Sequence, residues 1–267
     1  MKKPDYLYHY TSVSSFQTIM ENQTLMFSCL CDLDDEIEQT AVNMKHAGNY
    51  YFSNSWSSEN KESKEMWIEY GNSGNGIRFS LPLFPFYYYF FDFDNKKITR
   101  ITHEDIEKYD KNNIMPIKDI NYFKPLASTH VITPFIDDFL QEIQFNNELN
   151  DREYLKFSNG LLQGISRQSI GRRKDIKWKF LNEWRYQIEF IPKVILNSDK
   201  TEKTVLSLSD VENAKKFKIY MDLCPSKMNN MEIIFGNKVS YNDKEKVKKL
   251  IINKGITAIF RESEIII

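Results

Sequence analysis

The chain has 267 residues, and its 36 Lys and Arg against 37 Asp and Glu leave a formal net charge of -1. That balance gives no global attraction to nucleic acid or to an anionic membrane, so any such binding must be local. Aromatics are 14% of the residues, against 9 Gly and 8 Pro, which excludes a disordered or low-complexity chain and points to one ordered body with its own core. The three cysteines, Cys29, Cys31 and Cys224, are an odd count in a chain with no signal-peptide pattern and no long apolar run. The expectation is a cytoplasmic, non-membrane protein with reduced thiols.

Residues 6–10 read as a short strand that points Leu7, His9 and Thr11 one way and Tyr6, Tyr8 and Tyr10 the other. A helix follows, capped by Thr11 or Ser12, with Val13, Phe16, Ile19 and Met20 as its buried stripe and an end near Asn22. His9 thus stands just before a helix start, where a histidine is either a satisfied strand-end residue or a ligand-binding group. Leu25–Ser28 reads as a second strand, and the acidic run Asp32, Asp34, Asp35, Glu36, Glu38 opens another helix. Ile37 and Asn43 stand where a calcium loop needs Gly and Glu, and Cys29-Leu30-Cys31 lacks zinc spacing, so no metal site is expected. Tyr50–Trp56 reads as a strand carrying Tyr51, Ser53 and Ser55 on one face. A short helix around Glu62–Tyr70 groups Met66, Trp67 and Tyr70, for which core packing is the simplest role. Gly71, Gly74 and Gly76 form a turn rather than a phosphate loop, since no Lys-Ser/Thr follows.

The aromatic run Phe86–Phe93 pairs as a hairpin with Lys97–Ile101. Residues 104–118 read as loop and Ile120–Phe123 as a short strand. From Pro134 to Ser169 the spacings Phe135, Phe139, Ile143 and Tyr154, Phe157, Leu161, Leu162 predict a helical segment, as two helices or one broken helix. The one concentrated basic run follows: Arg167, Arg172, Arg173, Lys174, Lys177 and Lys179. It is either a solvated loop or a phosphate-contacting patch. It leads into Glu183–Phe190, whose alternation puts Trp184, Tyr186, Ile188 and Phe190 on one face and Glu183, Arg185, Gln187 and Glu189 on the other. That second face is either in water or one wall of a cleft in which Glu183 sits beside Arg185. Thr204–Leu208 and Met231–Phe235 read as strands, Ser209 or Asp210 caps a short helix to Phe217, and residues 243–254 form an amphipathic helix stopped by Gly255. Ile256–Phe260 and Ile265–Ile267 close the chain as strands. The class is α+β without a βαβ rhythm.

Taken together, Leu7-Tyr8-His9-Tyr10-Thr11-Ser12, Leu33-Asp34-Asp35, Phe52-Ser53-Asn54-Ser55, Met66-Trp67-Ile68-Glu69-Tyr70, Trp178 with Glu183-Trp184-Arg185, and Ile233-Ile234-Phe235-Gly236 resemble a bacterial family marked by a Tyr-His-Tyr-Thr start. That family is found among phage-defence and toxin-like genes and is itself similar to the ADP-ribosyltransferases. The resemblance spans nearly the whole chain and implies a single ADP-ribosyltransferase-like domain, with a split two-sheet core and the 134–169 helical segment as an insertion. It implies NAD as co-substrate and no metal. His9, Tyr10 and Thr11 would lie on the adenosine-ribose side, Ser53 and Ser55 in the cleft wall, Tyr70 and Trp67 near nicotinamide, and Arg185 beside the catalytic Glu183. His9 and Tyr70 would share in catalysis. Two departures stand out: Leu181 where family members often carry a second acid, and Asp34 where Asn is usual. The first weakens an arginine acceptor.

The resulting expectation is an NAD-consuming transferase of toxin or defence character. It would modify a macromolecule, nucleic acid rather than protein, held by Arg172, Arg173 and Lys174, and could have a neutralising antitoxin as partner. Two other readings stand beside it: a nucleic-acid-binding or nuclease module built on the basic run, and a catalytically silent interaction domain. A nuclease normally needs a metal cluster or a paired acid and base, and a silent domain would be expected to lose His9 or Glu183.

Overall fold

A computed structural model describes residues 3–33, 47–118, 129–132, 139–146, 155–159, 161–165, 170–198, 201–206 and 218–267. The fold is mixed α+β, dominated by sheet. The strands in chain order are β1 (Tyr6–Ser12), β2 (Thr24–Cys29), β3 (Tyr51–Ser57), β4 (Gly76–Pro82), β5 (Tyr88–Asp92), β6 (Lys97–Ile101), β7 (Ile114–Met115), β8 (Thr129–Ile132) and β9 (Leu140–Glu142). They continue as β10 (Gln144–Phe145), β11 (Leu155–Ser158), β12 (Leu161–Ile165), β13 (Arg173–Lys174), β14 (Glu183–Ser198), β15 (Thr201–Leu206), β16 (Ile219–Asp222), β17 (Met231–Phe235) and β18 (Ala258–Glu262). The α-helices among the described residues are α1 (Val13–Asn22), α2 (Lys64–Glu69) and α3 (Tyr241–Asn253). None is long and apolar enough to cross a membrane.

The main sheet runs β15-β14-β3-β1-β4-β17-β18, with β2 also against β3, β16 against β2, and β8 and β9 against β14. Its middle is unevenly joined. β1 and β4 pair from Tyr6↔Pro82 to Ser12↔Gly76, and β3 and β14 pair from Glu183↔Ser57 to Glu189↔Tyr51. β1 and β3, by contrast, share a single backbone register pair, Tyr8↔Ser57. Two full ladders are therefore hinged at one register pair.

Local chemistry sets the element ends. Ser12 caps α1 by accepting from the Ser15 N–H at 3.1 Å, and Ser240 caps α3 by accepting from the Asp243 N–H at 3.1 Å. Phe16 and Met20 of α1 and Val247 and Ile251 of α3 are buried on the sheet. β14 is covered on both faces from Glu183 to Glu189. Trp184, Tyr186 and Ile188 join Phe52 and Trp56 in the core. On the other side Glu183, Arg185 and Gln187 sit opposite Ser57, Ser55 and Ser53, and Glu183 and Arg185 are only 3% and 1% exposed. The cover on this polar face is the segment from Ile170 onward: Gln187 Nε2 donates to the Ile170 carbonyl at 3.1 Å and Arg185 Nη1 to the Gly171 carbonyl at 2.9 Å. Gly171 has φ +69, and a Cβ there would lie 2.5 Å from Leu30 Cδ1, so glycine is what lets the segment lie this close.

Several expectations are corrected. Where described, the 134–169 segment is strand (β9 to β12) rather than helix. Phe139 and Ile143 are four apart, an even spacing that also fits the period of two of a strand, so their periodicity could not discriminate. The hairpin of β5 and β6 forms as expected, whereas His103–Lys108 and Lys111–Asn113 are 3-10 turns rather than plain loop. The last predicted strand is absent: Ile265 and Ile267 pack on Met66, Trp67 and Ile234 instead. Cys29 and Cys31 are joined as a disulfide, where reduced thiols were expected, while Cys224 is free and buried. The helix expected from the acidic run, the strand at Ile120–Phe123 and the helix from Ser209 to Phe217 lie outside the described residues.

Candidate functional site

Glu183 begins β14 immediately after Asn182, which takes the left-handed conformation (φ 42) that ends the 3-10 turn Ile176–Leu181. The Asn182 carbonyl accepts from the Ser58 N–H at 2.9 Å, which ties this corner to the end of β3. Two residues on, on the same face, Arg185 presents Nη2 at 2.6 Å and Nε at 3.0 Å to Glu183 Oε1. Its Nε also lies 3.2 Å from Ser55 Oγ. The second oxygen, Oε2, receives Lys174 Nζ at 3.2 Å. Burial alone would raise the Glu183 carboxyl, but the Arg185 and Lys174 charges and hydrogen bonds from Ser55 and Arg185 outweigh it and hold it down to about 2. Glu183 is a carboxylate at neutral pH, restrained at both oxygens.

His9 projects from β1 at the hinge between the ladders. Its Nδ1 lies 3.0 Å from the Ser55 carbonyl. A carbonyl only accepts, so Nδ1 carries the proton and Nε2 keeps a lone pair. The ring packs on Trp56 and Phe79 at centroid distances of 4.9 and 5.6 Å, and burial lowers its pKa to about 4 despite the Ser55 hydrogen bond. The imidazole is neutral at pH 7 and can accept a hydrogen bond, for example from a hydroxyl.

A cavity of about 600 Å³ brings His9, Thr11, Ser53, Ser55, Glu183 and Arg185 together, although they come from both ends of the sequence. That size is within the range of about 300–1,000 Å³ typical of small-molecule sites. Tyr70 also lines it and is 41% exposed. Tyr10 contributes to the wall, but its ring packs edge-to-face on Trp67 at 5.0 Å, and its hydroxyl accepts from the Ser63 N–H at 3.3 Å. Trp67 itself does not line the cavity. It is fully buried, with Nε1 donating to Glu62 Oε2 at 2.8 Å, so its place is behind the wall.

The basic run is also placed differently. β13 pairs in parallel with β10 through Gln144↔Arg173 and Phe145↔Lys174. Lys174 is buried as the counter-ion of Glu183, while Arg172 and Arg173 are half-buried and lie outside the cavity wall. Lys174 was expected on an open loop, and its packing against Trp178, 5.1 Å from the ring centroid, shows why it is not. Trp178 lines the cavity too, and its buried indole N–H has no hydrogen-bond partner among the described residues.

Sequence reasoning missed the Lys174–Glu183 pair, because nothing in a spacing of nine residues brings two side chains together. It also missed Met26 and Tyr220, which line the cavity from two strands far apart in the chain. The described residues include no group of three or more His, Cys, Asp or Glu able to hold a metal. Compared with known protein families, with curated proteins and with solved structures, the chain matches none.

Proposed function

We propose that this chain is an NAD-dependent ADP-ribosyltransferase. The observation that carries the reading is that an ionised, doubly restrained Glu183 and a neutral His9, whose Nδ1 is held by the Ser55 carbonyl, line one cavity. Further support comes from the thin join at Tyr8↔Ser57 between the β1/β4 ladder and the β3/β14 ladder of the main sheet, which is compatible with a core built as two sheet halves.

His9 Nε2 would accept from a ribose hydroxyl. Glu183 would face the nicotinamide ribose, where positive charge develops as the bond from C1′ to the nicotinamide nitrogen breaks. The bonding pair leaves with nicotinamide, a nucleophilic oxygen or nitrogen of the acceptor bonds to C1′, and the acceptor's proton passes to water, since a carboxyl held at about 2 is a poor base. Arg185 has its guanidinium spent on Glu183, Ser55 and Gly171, so its role is to position the carboxylate rather than to bind the co-substrate. Tyr70, exposed at the rim, would pack on the nicotinamide side.

The acceptor class we favour remains nucleic acid. Arg172 and Arg173 would contact phosphate from the segment that covers Glu183, with Lys174 withdrawn from that task. The toxin or phage-defence role and a neutralising partner rest on the resemblance alone, and the cytoplasmic location on the cysteine count and the lack of a signal-peptide pattern or long apolar run. Incubating the protein with labelled NAD and cell lysate tests the reading. Label transferred to RNA or DNA supports it in full, label only on protein moves the acceptor, and no consumption of NAD overturns it.

A further inference from the structure

We infer that Tyr220 and Met26 form the base-receiving end of the cavity, where the adenine of the co-substrate stacks; this rests on the proposed NAD chemistry. The argument begins with register. Tyr220 of β16 pairs with Met26 of β2. Met26 is two residues from Ser28, which pairs with Ser53 of β3, and Ser53 is two residues from Ser55, which pairs with Arg185 of β14. Side chains two apart share a face, so Tyr220, Met26, Ser28, Ser53, Ser55 and Arg185 lie on one side of the sheet. All six line the cavity. The alternate residues Phe27 and Cys29 are fully buried and do not line the cavity.

The sheet face therefore serves as a floor with a chemical gradient. At one end is the carboxylate of Glu183 with its two cations, in the middle are small hydroxyls, and at the far end is an aromatic ring beside a thioether. From β14 through β3 and β2 to β16 there are three ladder steps of ~4.8 Å, about 14 Å in all. An elongated ligand with its reacting ribose at Glu183 would thus carry its distal base to Tyr220. Tyr220 is 48% exposed, so one face of the ring is available for stacking. Met26 adds a polarisable flank of adaptable shape. The serines between them leave room for a chain of phosphates and ribose while offering hydroxyl donors.

Calorimetry on the full chain with NAD, adenosine monophosphate and nicotinamide mononucleotide tests this. Tyr220→Ala should weaken NAD and adenosine monophosphate about tenfold, the scale of one lost base-stacking contact, and leave nicotinamide mononucleotide unchanged. Tyr220→Phe should bind as the parent does. Tyr220→Leu serves in place of Ala should the latter not fold, and Met26→Ala should give a smaller loss in the same direction. Parent-like affinity of Tyr220→Ala for NAD and adenosine monophosphate, or an equal loss for all three ligands, overturns the inference. NAD consumption with an unchanged KM in Tyr220→Ala would overturn it while leaving the transferase reading intact. Tyr220-dependent binding of adenosine monophosphate without any NAD consumption would do the reverse, and a parent protein that binds none of the three overturns both.

Discussion

Lys174 Nζ lies 3.2 Å from Glu183 Oε2 with both side chains buried, so the carboxylate at the head of β14 faces two cations, Arg185 and Lys174. Removing either member of the Lys174–Glu183 pair has a distinct consequence.

Removing the lysine should show as energetic coupling. In a double-mutant cycle, Lys174→Met and Glu183→Gln should return an interaction of about 0.5–3 kcal/mol, as for residues in one buried ion network. Denaturant unfolding of the four proteins measures it. Strictly additive losses would mean that the pair contributes nothing to the folded state.

Glu183→Gln should lower turnover by roughly a hundredfold or more if charge stabilisation dominates. It also leaves Arg185 and Lys174 buried without their anion, at a cost of about 3–5 kcal/mol. Activity must therefore be referred to the folded fraction. Adding Lys174→Met to Glu183→Gln should recover part of the stability and none of the activity. Full activity per folded molecule in Glu183→Gln would remove Glu183 from the chemistry.

Stability should fall with acid in two overlapping stages. The folded state holds His9 at about 4 against ~6.5 in the unfolded chain. The unfolded state then binds the extra proton, and stability declines as pH falls from 6.5 towards 4. Glu183, held at about 2 against ~4.3 unfolded, contributes stability that is present above its unfolded value and lost as pH falls through the folded one. Thermal midpoints recorded against pH should show both stages. His9→Asn, whose amide can replace Nδ1–H at the Ser55 carbonyl, should shrink the upper stage, to which His103, lowered by its burial, also contributes, and leave the lower stage alone. An unaltered upper stage in that variant would assign it to another group.

Gly171→Ala should destabilise the fold by about 1–2 kcal/mol from the left-handed backbone alone, with a further loss as Leu30 gives way. Because the Gly171 carbonyl holds Arg185, the variant should also disturb the Glu183 carboxylate. A changed acid-stability profile below pH 5 would register that disturbance, whereas a purely local effect would leave the profile alone.

Much of the fold was legible where local chemistry is decisive. The cap at Ser12, the buried stripes of α1 and α3, the hairpin of β5 and β6, and the alternation of β14 all follow from periodicity and side-chain hydrogen bonding within a few residues, whereas the Ser240 cap of α3 was not picked out. The candidate site was half legible. His9, Thr11, Ser53, Ser55 and Glu183 were singled out by the resemblance; alternation told only which face of its strand each occupies, and all five line the one cavity. For Trp67 the spacing favoured core packing, which is where the structure puts it, whereas the place near nicotinamide implied by the resemblance is not found in the cavity lining.

What only the tertiary structure decided is environment. Alternation assigned Glu183 and Arg185 to a face, but whether water or protein covers that face depends on Ile170 to Lys174 folding back over it, which needs the positive φ of Gly171. The same cover turned Lys174 from a solvent-facing cation into the counter-ion of a carboxylate. Pairings such as Tyr220 with Met26, or the single register pair of β1 with β3, join segments remote in the chain, and hydrogen-bonded ladders between them leave no trace in local composition. The sequence alone determined which groups were available and which way each strand could turn them; burial and long-range register determined which of them meet, in what protonation state, around one cavity.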